Sequence, residues 1–230
     1  MNNTSKTTEK IKKICAIALL CALAFAVSFC FPIKVQFLTF DAKDAIIAIG
    51  GMFFGPLAAL SMSIIVPFLE FLTLSDTGIY GLIMNFLSSA AFSITASLVY
   101  KYKRKMSGAV IGLCASVFIT TAVMLLANYF ITPIYAKFVG FPLDIVEVLP
   151  KLILPFNLTK SVLNSALVLL LYKPFTTALK ATTLVPKGST SNTTSSKVTV
   201  ITAATAIILL AAALLIYLTV LGGSIQLFKF

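Results

Sequence analysis

Histidine and tryptophan are absent from this 230-residue chain, and acids are scarce, seven Asp and Glu against eighteen Lys and Arg. Without histidine the chain lacks the commonest metal ligand and the usual general base. It has no GxxxxGK[ST] loop, so it carries no Walker site for ATP hydrolysis. Its four cysteines (Cys15, Cys21, Cys30, Cys114) show no CxxC spacing; they fall in or beside apolar runs and read as small buried hydrophobes. A membrane-embedded hydrolase or transferase needs histidines, paired carboxylates or an activated nucleophile near mid-membrane. None is in view here, and the chain is not expected to be an enzyme. Charge of either sign is also sparse: 11% of residues are charged, against about 25% in a soluble domain.

Apolar residues fill that space. They make up 59% of the chain, and the mean hydropathy is +1.04. Long apolar runs cover 14–31, 45–74, 80–100, 107–132, 150–172 and 198–221, so the chain reads as an all-α, multi-pass membrane protein. Phenylalanine and tyrosine supply the interface anchors that tryptophan usually provides. The first run lacks a small-residue cleavage site followed by a soluble domain and reads as a retained span. A bilayer core of about 30 Å needs about 20 helical residues, which makes 45–74 too long for one crossing. Gly55-Pro56 divides it, because proline suits the first turn of a new helix.

Charge supports that division. Lys6, Lys10, Lys12 and Lys13 precede the first span; Lys101, Lys103, Arg104 and Lys105 form a second basic cluster; Lys173, Lys180, Lys187 and Lys197 form a third. All three face the cytoplasm under the positive-inside rule only if 45–74 is two helices. Six acids (Asp41, Asp44, Glu70, Asp76, Asp144, Glu147) then lie toward the outside, with Glu9 inside. The net charge of +11 is therefore mostly a topology signal, and nucleic acid is not an expected partner. The expected organisation is a basic cytoplasmic N-terminus (1–13) and a six-helix membrane core (14–175). A Ser/Thr-rich linker (176–197) and a seventh transmembrane helix with a short tail (198–230) follow, leaving the C-terminus outside. No internal repeat of the kind found in many secondary transporters is visible.

The second helix, 44–54, is only about 15 Å long and reaches mid-membrane. The segment 31–43 must then dip from the outer surface, which is tolerated only against protein or a watered cavity. An outward-facing pocket, partly roofed by 31–43, is the expected result. Asp41 and Asp44 at the helix start read as capping residues, with the alternative that Asp44 also meets a ligand or Lys160. Deep in the last core helix, Asn157, Lys160 and Asn164 share one face at i, i+3, i+7. A charge at mid-membrane costs about 2.5–3.5 kcal/mol and usually marks a functional site. Asn128, near Tyr129 and Tyr135, adds polar edges from the neighbouring helix. Together these residues suit a flat heteroaromatic ligand with polar edges. The alternative is interhelical glue with Lys160 snorkelling outward, which is also the reading for Asn164 and Asn85. In the first helix Ala18, Ala22 and Ala26 recur every fourth residue, a ridge that serves either internal packing or docking of a membrane partner.

Three stretches, LTFDAKDAIIAIGGMFFGPLAA (38–59), LANYFITPIYAKFVG (126–140) and LPFNLTKSVLNS (154–165), carry a resemblance. With the basic N-terminus and the alanine ridge, the chain resembles the S components of energy-coupling-factor (ECF) vitamin importers. It is similar in particular to the riboflavin-specific S component, over about residues 10–175. The resemblance implies a six-helix bundle that binds riboflavin at the outer side, closed by the loop after the first helix. It places Asn128, Asn157 and Lys160 on the isoalloxazine ring, and it reaches Asp44 through its stretch only. Riboflavin or FMN would be a transported ligand, not a cofactor, stacking on residues such as Phe40 or Tyr129. Ala18, Ala22 and Ala26 would dock on a transmembrane coupling subunit driven by two cytoplasmic ATPases. The linker and seventh span depart from the six-helix pattern. Two other uses of the same scaffold stand beside the first: an S component for a different vitamin, and flavin supply to an extracellular process.

Overall fold

The computed structural model describes residues 3–30, 33–35, 38–73, 77–140 and 145–181, with positions 204, 207, 208 and 211 beyond them. Most of the seventh span and of the linker, together with Asp76 and Asp144, lie outside the described residues. Helix α1 (Asn3–Cys30) leads into a hairpin of β1 (Ile33–Val35) and β2 (Leu38–Phe40). Then come α2 (Lys43–Phe54), α3 (Pro56–Thr73), α4 (Gly78–Tyr102) and α5 (Met106–Val139). The last part is a short α6 (Ile145–Val148), a π-helical turn (Leu149–Ile153) and α7 (Leu154–Ala181). Among the described residues, five helical stretches are long and apolar enough to cross a membrane: Thr7–Cys30, Pro56–Thr73, Gly78–Tyr102, Met106–Val139 and Leu149–Ala178.

The division at Gly55-Pro56 is real. Gly55 has φ 100 and ψ 166, a conformation essentially reserved for glycine, and its N–H still closes on the carbonyl of Gly51. The resulting α2 is too short to span and sits inside the bundle; every residue in it but Phe53 is buried. Close approach makes this possible. A side chain at Gly51 would come within 2.6 Å of the Ala59 Cβ and 3.0 Å of the Ser97 Cβ. On α4, Ser89, Ser93 and Ser97 form a small polar ridge one turn apart, all buried, along the path of α2. Two apolar cores flank α2. One joins Ala48, Ile49 and Met52 to Phe92, Leu113 and Val168. The other joins Ile46, Ile47 and Phe54 to Leu20, Ala24, Met62 and Val66. Where the first core ends, the Tyr100 and Tyr172 hydroxyls meet at 2.8 Å, with the Phe53 ring stacked on Tyr172.

Several elements depart from the expectations above. The all-α reading missed the antiparallel hairpin, in register Ile33↔Phe40, Lys34↔Thr39 and Val35↔Leu38. The fifth long helix does not stop at 132 but runs through Pro133 to Val139, where left-handed Gly140 (φ 75) caps it. Helix α7 runs on to Ala181, so the first residues of the expected linker are helical. Before it, Pro155 has no N–H to give the carbonyl of Lys151, and the chain widens into a π turn closed by the Leu154 N–H on Leu149. Neither aspartate caps the helix with its side chain: Ala42 occupies the N-cap position, and Asp44 lies in the first turn, the expected carboxylate at the helix's positive end. The cap comes from across the bundle. The Asn164 Oδ1 accepts from the Ala45 N–H at 2.9 Å, while its Nδ2 donates to the carbonyls of Asp41 and Lys160. Asn164 is therefore the glue expected of it, tying the start of α2 to α7.

Candidate functional site: a cavity beside Lys160

The end of the bundle that holds the hairpin has an open cavity of about 110 Å³. Helix α4 contributes Tyr80, Met84, Asn85 and Ser88, and α5 contributes Met124, Asn128, Ile131, Thr132 and Tyr135. Phe156, Asn157 and Lys160 come from α7, and Leu38 and Thr39 from β2. The wall is thus mostly apolar and aromatic, with a few converging polar groups. The Tyr80 and Tyr135 rings lie 5.2 Å apart, centroid to centroid.

Asn128, Asn157 and Lys160 come together on this wall, all at 5% exposure or less. Each asparagine is braced by its own helix: the Asn128 Nδ2 donates to the Met124 carbonyl at 2.7 Å, and the Asn157 Nδ2 donates to the Ile153 carbonyl at 2.8 Å. Thr132 Oγ1 also donates to Asn128 Oδ1. Lys160 does not snorkel. Its ammonium donates to Asp41 Oδ2 at 3.1 Å and to the Thr39 carbonyl at 3.4 Å, and lies 3.8 Å from Asp44 Oδ2.

The other expected site residues fall elsewhere. Asp44 does not line the cavity; its Oδ1 accepts from Ser89 Oγ at 2.5 Å. Phe40 is buried behind the wall, edge-on to Phe156 with centroids 5.9 Å apart. Tyr129 does not line the cavity. It is 51% exposed and packs against Phe130, away from the cavity. One residue is about 100° of helix, so Tyr129 cannot share the face of Asn128. The α5 aromatic that does is Tyr135. Ala18, Ala22 and Ala26 all lie on the exposed side of α1, while Leu20, Cys21 and Ala24 face the core.

Sequence reasoning missed the ion network under the cavity. Lys43 is 1% exposed and donates to Glu70 Oε2 at 2.5 Å and to Asp41 Oδ2 at 3.3 Å. Asn85 Nδ2, on the cavity wall, donates to the same Glu70 oxygen at 3.3 Å. The signal was available: Lys43 and Glu70 are ionisable residues in apolar surroundings, the feature that singled out Lys160. At Asp41, burial favours the neutral acid, but the Lys160 and Lys43 ammonium groups outweigh it and hold the carboxyl below the usual carboxylate range.

The family pattern of the ECF transporter substrate-specific component matches residues 12–172. The chain belongs to this family. The riboflavin transporter RibU of Staphylococcus aureus (strain TCH60) is 31% identical over 190 residues, covering 78% of this chain and 99% of that protein. The riboflavin transporter FmnP of Bacillus subtilis (strain 168) is 26% identical over 173 residues, 71% of this chain and 91% of that protein. A solved structure of the S component of a bacterial ECF transporter superposes with a TM-score of 0.63 at 31% identity, covering 74% of this chain and 99% of that one. The short buried α2, the hairpin and the cavity of this substrate-specific component all fall within the matched residues. As a member of a transporter family, with five membrane-length helices among its described residues, the chain is a multi-pass membrane protein.

Proposed function

We propose that the chain is the membrane-embedded riboflavin-binding subunit of an ECF-type importer. It takes the flavin from outside and delivers it inward when coupled to a transmembrane subunit and ATPases. The observation that carries this reading is the near full-length match to RibU, a riboflavin transporter by name, combined with a cavity that gathers Asn128, Asn157 and Lys160 at its edge. Riboflavin is then cargo, not cofactor. A different vitamin is not favoured, since FmnP and the Streptococcus thermophilus (strain ATCC BAA-250 / LMG 18311) RibU are riboflavin transporters by name as well.

In this reading the two asparagines and Lys160 hydrogen-bond the polar edge of the isoalloxazine ring. Tyr80, Tyr135 and Phe156 supply aromatic surface. Asp44 and Phe40 support Lys160 and Phe156 from behind. Ala18, Ala22 and Ala26 dock on the coupling subunit. The substrate-binding core is 14–175, preceded by a cytoplasmic N-terminus (1–13) and followed by the linker (176–197) and an added helix (198–230) that leaves the C-terminus outside. Purification from riboflavin-fed cells tests the core of the proposal. Yellow protein that quenches added riboflavin fluorescence on binding is expected; colourless protein with no quenching at micromolar riboflavin would overturn it.

A further inference from the structure

Under the cavity four ionisable groups and one asparagine form a chain. It runs from Lys160 on α7 to Asp41, then to Lys43, Glu70 on α3 and Asn85 on α4, with contacts of 3.1, 3.3, 2.5 and 3.3 Å. Both ends line the cavity, and the three middle residues do not. Both ammonium groups converge on Oδ2 of Asp41, while its Oδ1 has no partner among the described residues. A lysine is a charge on a flexible four-carbon stem with three donors, and something must fix its direction. Here the Asp41 carboxylate and the Thr39 carbonyl engage the Lys160 ammonium and leave one N–H for an acceptor in the cavity. Asp44 is farther off, its Oδ2 at 3.8 Å being beyond hydrogen-bond distance, and its Oδ1 accepts from Ser89.

We propose that Asp41 is the positioning residue of the site. It directs the Lys160 ammonium into the cavity and is itself held by the Lys43–Glu70 pair, so recognition at Lys160 is set by side chains that do not line the cavity. This rests on the flavin reading above. The other role open to the network, neutralising buried charge for the sake of the fold, makes a different prediction. A structural residue weakens binding whether or not Lys160 is present; a positioning residue acts only through it.

The experiment is a double-mutant cycle on the full-length chain in detergent, with the affinity for riboflavin read by flavin fluorescence quenching. Asp41→Asn keeps the side-chain shape. It is expected to weaken binding about tenfold in the otherwise unaltered chain and less than about twofold in the Lys160→Met background, the non-additivity of residues in contact. A second arm, Lys43→Met with Glu70→Gln, removes the supporting pair and leaves Lys160 as the counter-ion of Asp41; in the Lys160→Met background it is made with Asp41→Asn and compared with Asp41→Asn, Lys160→Met. It is expected to weaken binding severalfold, again only when Lys160 is present, and it decides the matter by itself if Asp41→Asn does not fold. Equal losses in both backgrounds, or unchanged affinity in Asp41→Asn, would overturn the inference alone. No riboflavin binding by the unaltered chain would overturn the flavin reading and this inference with it.

Discussion

The Lys43 ammonium lies 2.5 Å from Glu70 Oε2, joining α2 to α3 with both side chains almost wholly buried. Among the described residues Lys43 is the one cation paired with Glu70, and in low-dielectric surroundings that carboxylate is costly without it. Removing one partner of a buried pair costs about 3–5 kcal/mol, whereas removing both as a pair is often nearly neutral. Lys43→Met alone is therefore expected to lower the melting temperature in detergent by about 6 °C or more, at about 2–4 °C per kcal/mol for a chain of this size. Lys43→Met with Glu70→Gln should recover most of that loss. A double variant as unstable as the single one would show that the pair is not what holds α2 to α3.

Lys160→Met is expected to weaken riboflavin binding by about 10–100-fold, because a hydrogen bond to a charged group contributes about 1.5–3 kcal/mol. The affinity should fall while the protein still folds, since Asp41 keeps Lys43 as a counter-ion at 3.3 Å. Titration of flavin fluorescence, paired with a melting curve, separates the two effects. Unchanged affinity would place the ligand elsewhere.

Much of this arrangement was legible in the residues. Gly55-Pro56 announced the break between α2 and α3, and the shortness of α2 implied a pocket partly roofed by 31–43, from which Leu38 and Thr39 line the cavity. The i, i+3, i+7 spacing brought Asn157, Lys160 and Asn164 to one face. What stayed hidden depends on distance across the bundle. Asp41 and Asp44 look like caps because local spacing is all a sequence displays; that Asn164, more than a hundred residues away, caps α2 instead is a tertiary fact. Glu70 reads only as a topology signal and Lys43 goes unremarked in the sequence, because their pairing exists only once α2 lies against α3. Tyr129 and Tyr135 were indistinguishable as aromatic neighbours of Asn128 until the helix phase was applied strictly.

Two glycines of α2 and its end should fail for different reasons. At Gly51 the obstacle is space: an added Cβ would sit 2.6 Å from that of Ala59, so Gly51→Ala is expected to cost about 1–3 kcal/mol through overpacking. At Gly55 nothing lies within 4 Å, and the obstacle is the backbone at φ 100, costing about 1–3 kcal/mol for any other residue. Asparagine should not rescue Gly55, because this conformation lies outside the left-handed helical well that asparagine tolerates. A Gly55→Asn protein that melts like the parent would refute that account.

The alanine ridge gives an expectation that separates docking from binding. Ala18, Ala22 and Ala26 are exposed on α1, and none lines the cavity. Ala22→Trp should leave riboflavin affinity within about twofold of the parent, as expected for sites far apart with no shared partners. It should abolish uptake by cells that supply the coupling module, because a large side chain blocks the close helix approach that small residues allow. Uptake at the parental rate would remove the ridge from the docking surface.

Charge bookkeeping around the cavity bears on FMN. Among the described lining residues Lys160 is the one cation, and Asp41 and Asp44 already face it. Beneath the wall, three carboxylates stand against the two ammonium groups of Lys43 and Lys160. A phosphate brought to this wall would find no unpaired cation and would lie near an excess of negative charge. Leaving a charged group poorly partnered on burial costs about 1–3 kcal/mol or more, so FMN is expected to bind about tenfold or more weakly than riboflavin. Competition titrations with the two flavins read the difference directly. The gap should narrow in Asp44→Asn, where one negative charge beside Lys160 is gone. Equal affinities in the parent would mean that the phosphate projects through the open mouth into solvent and never meets this wall.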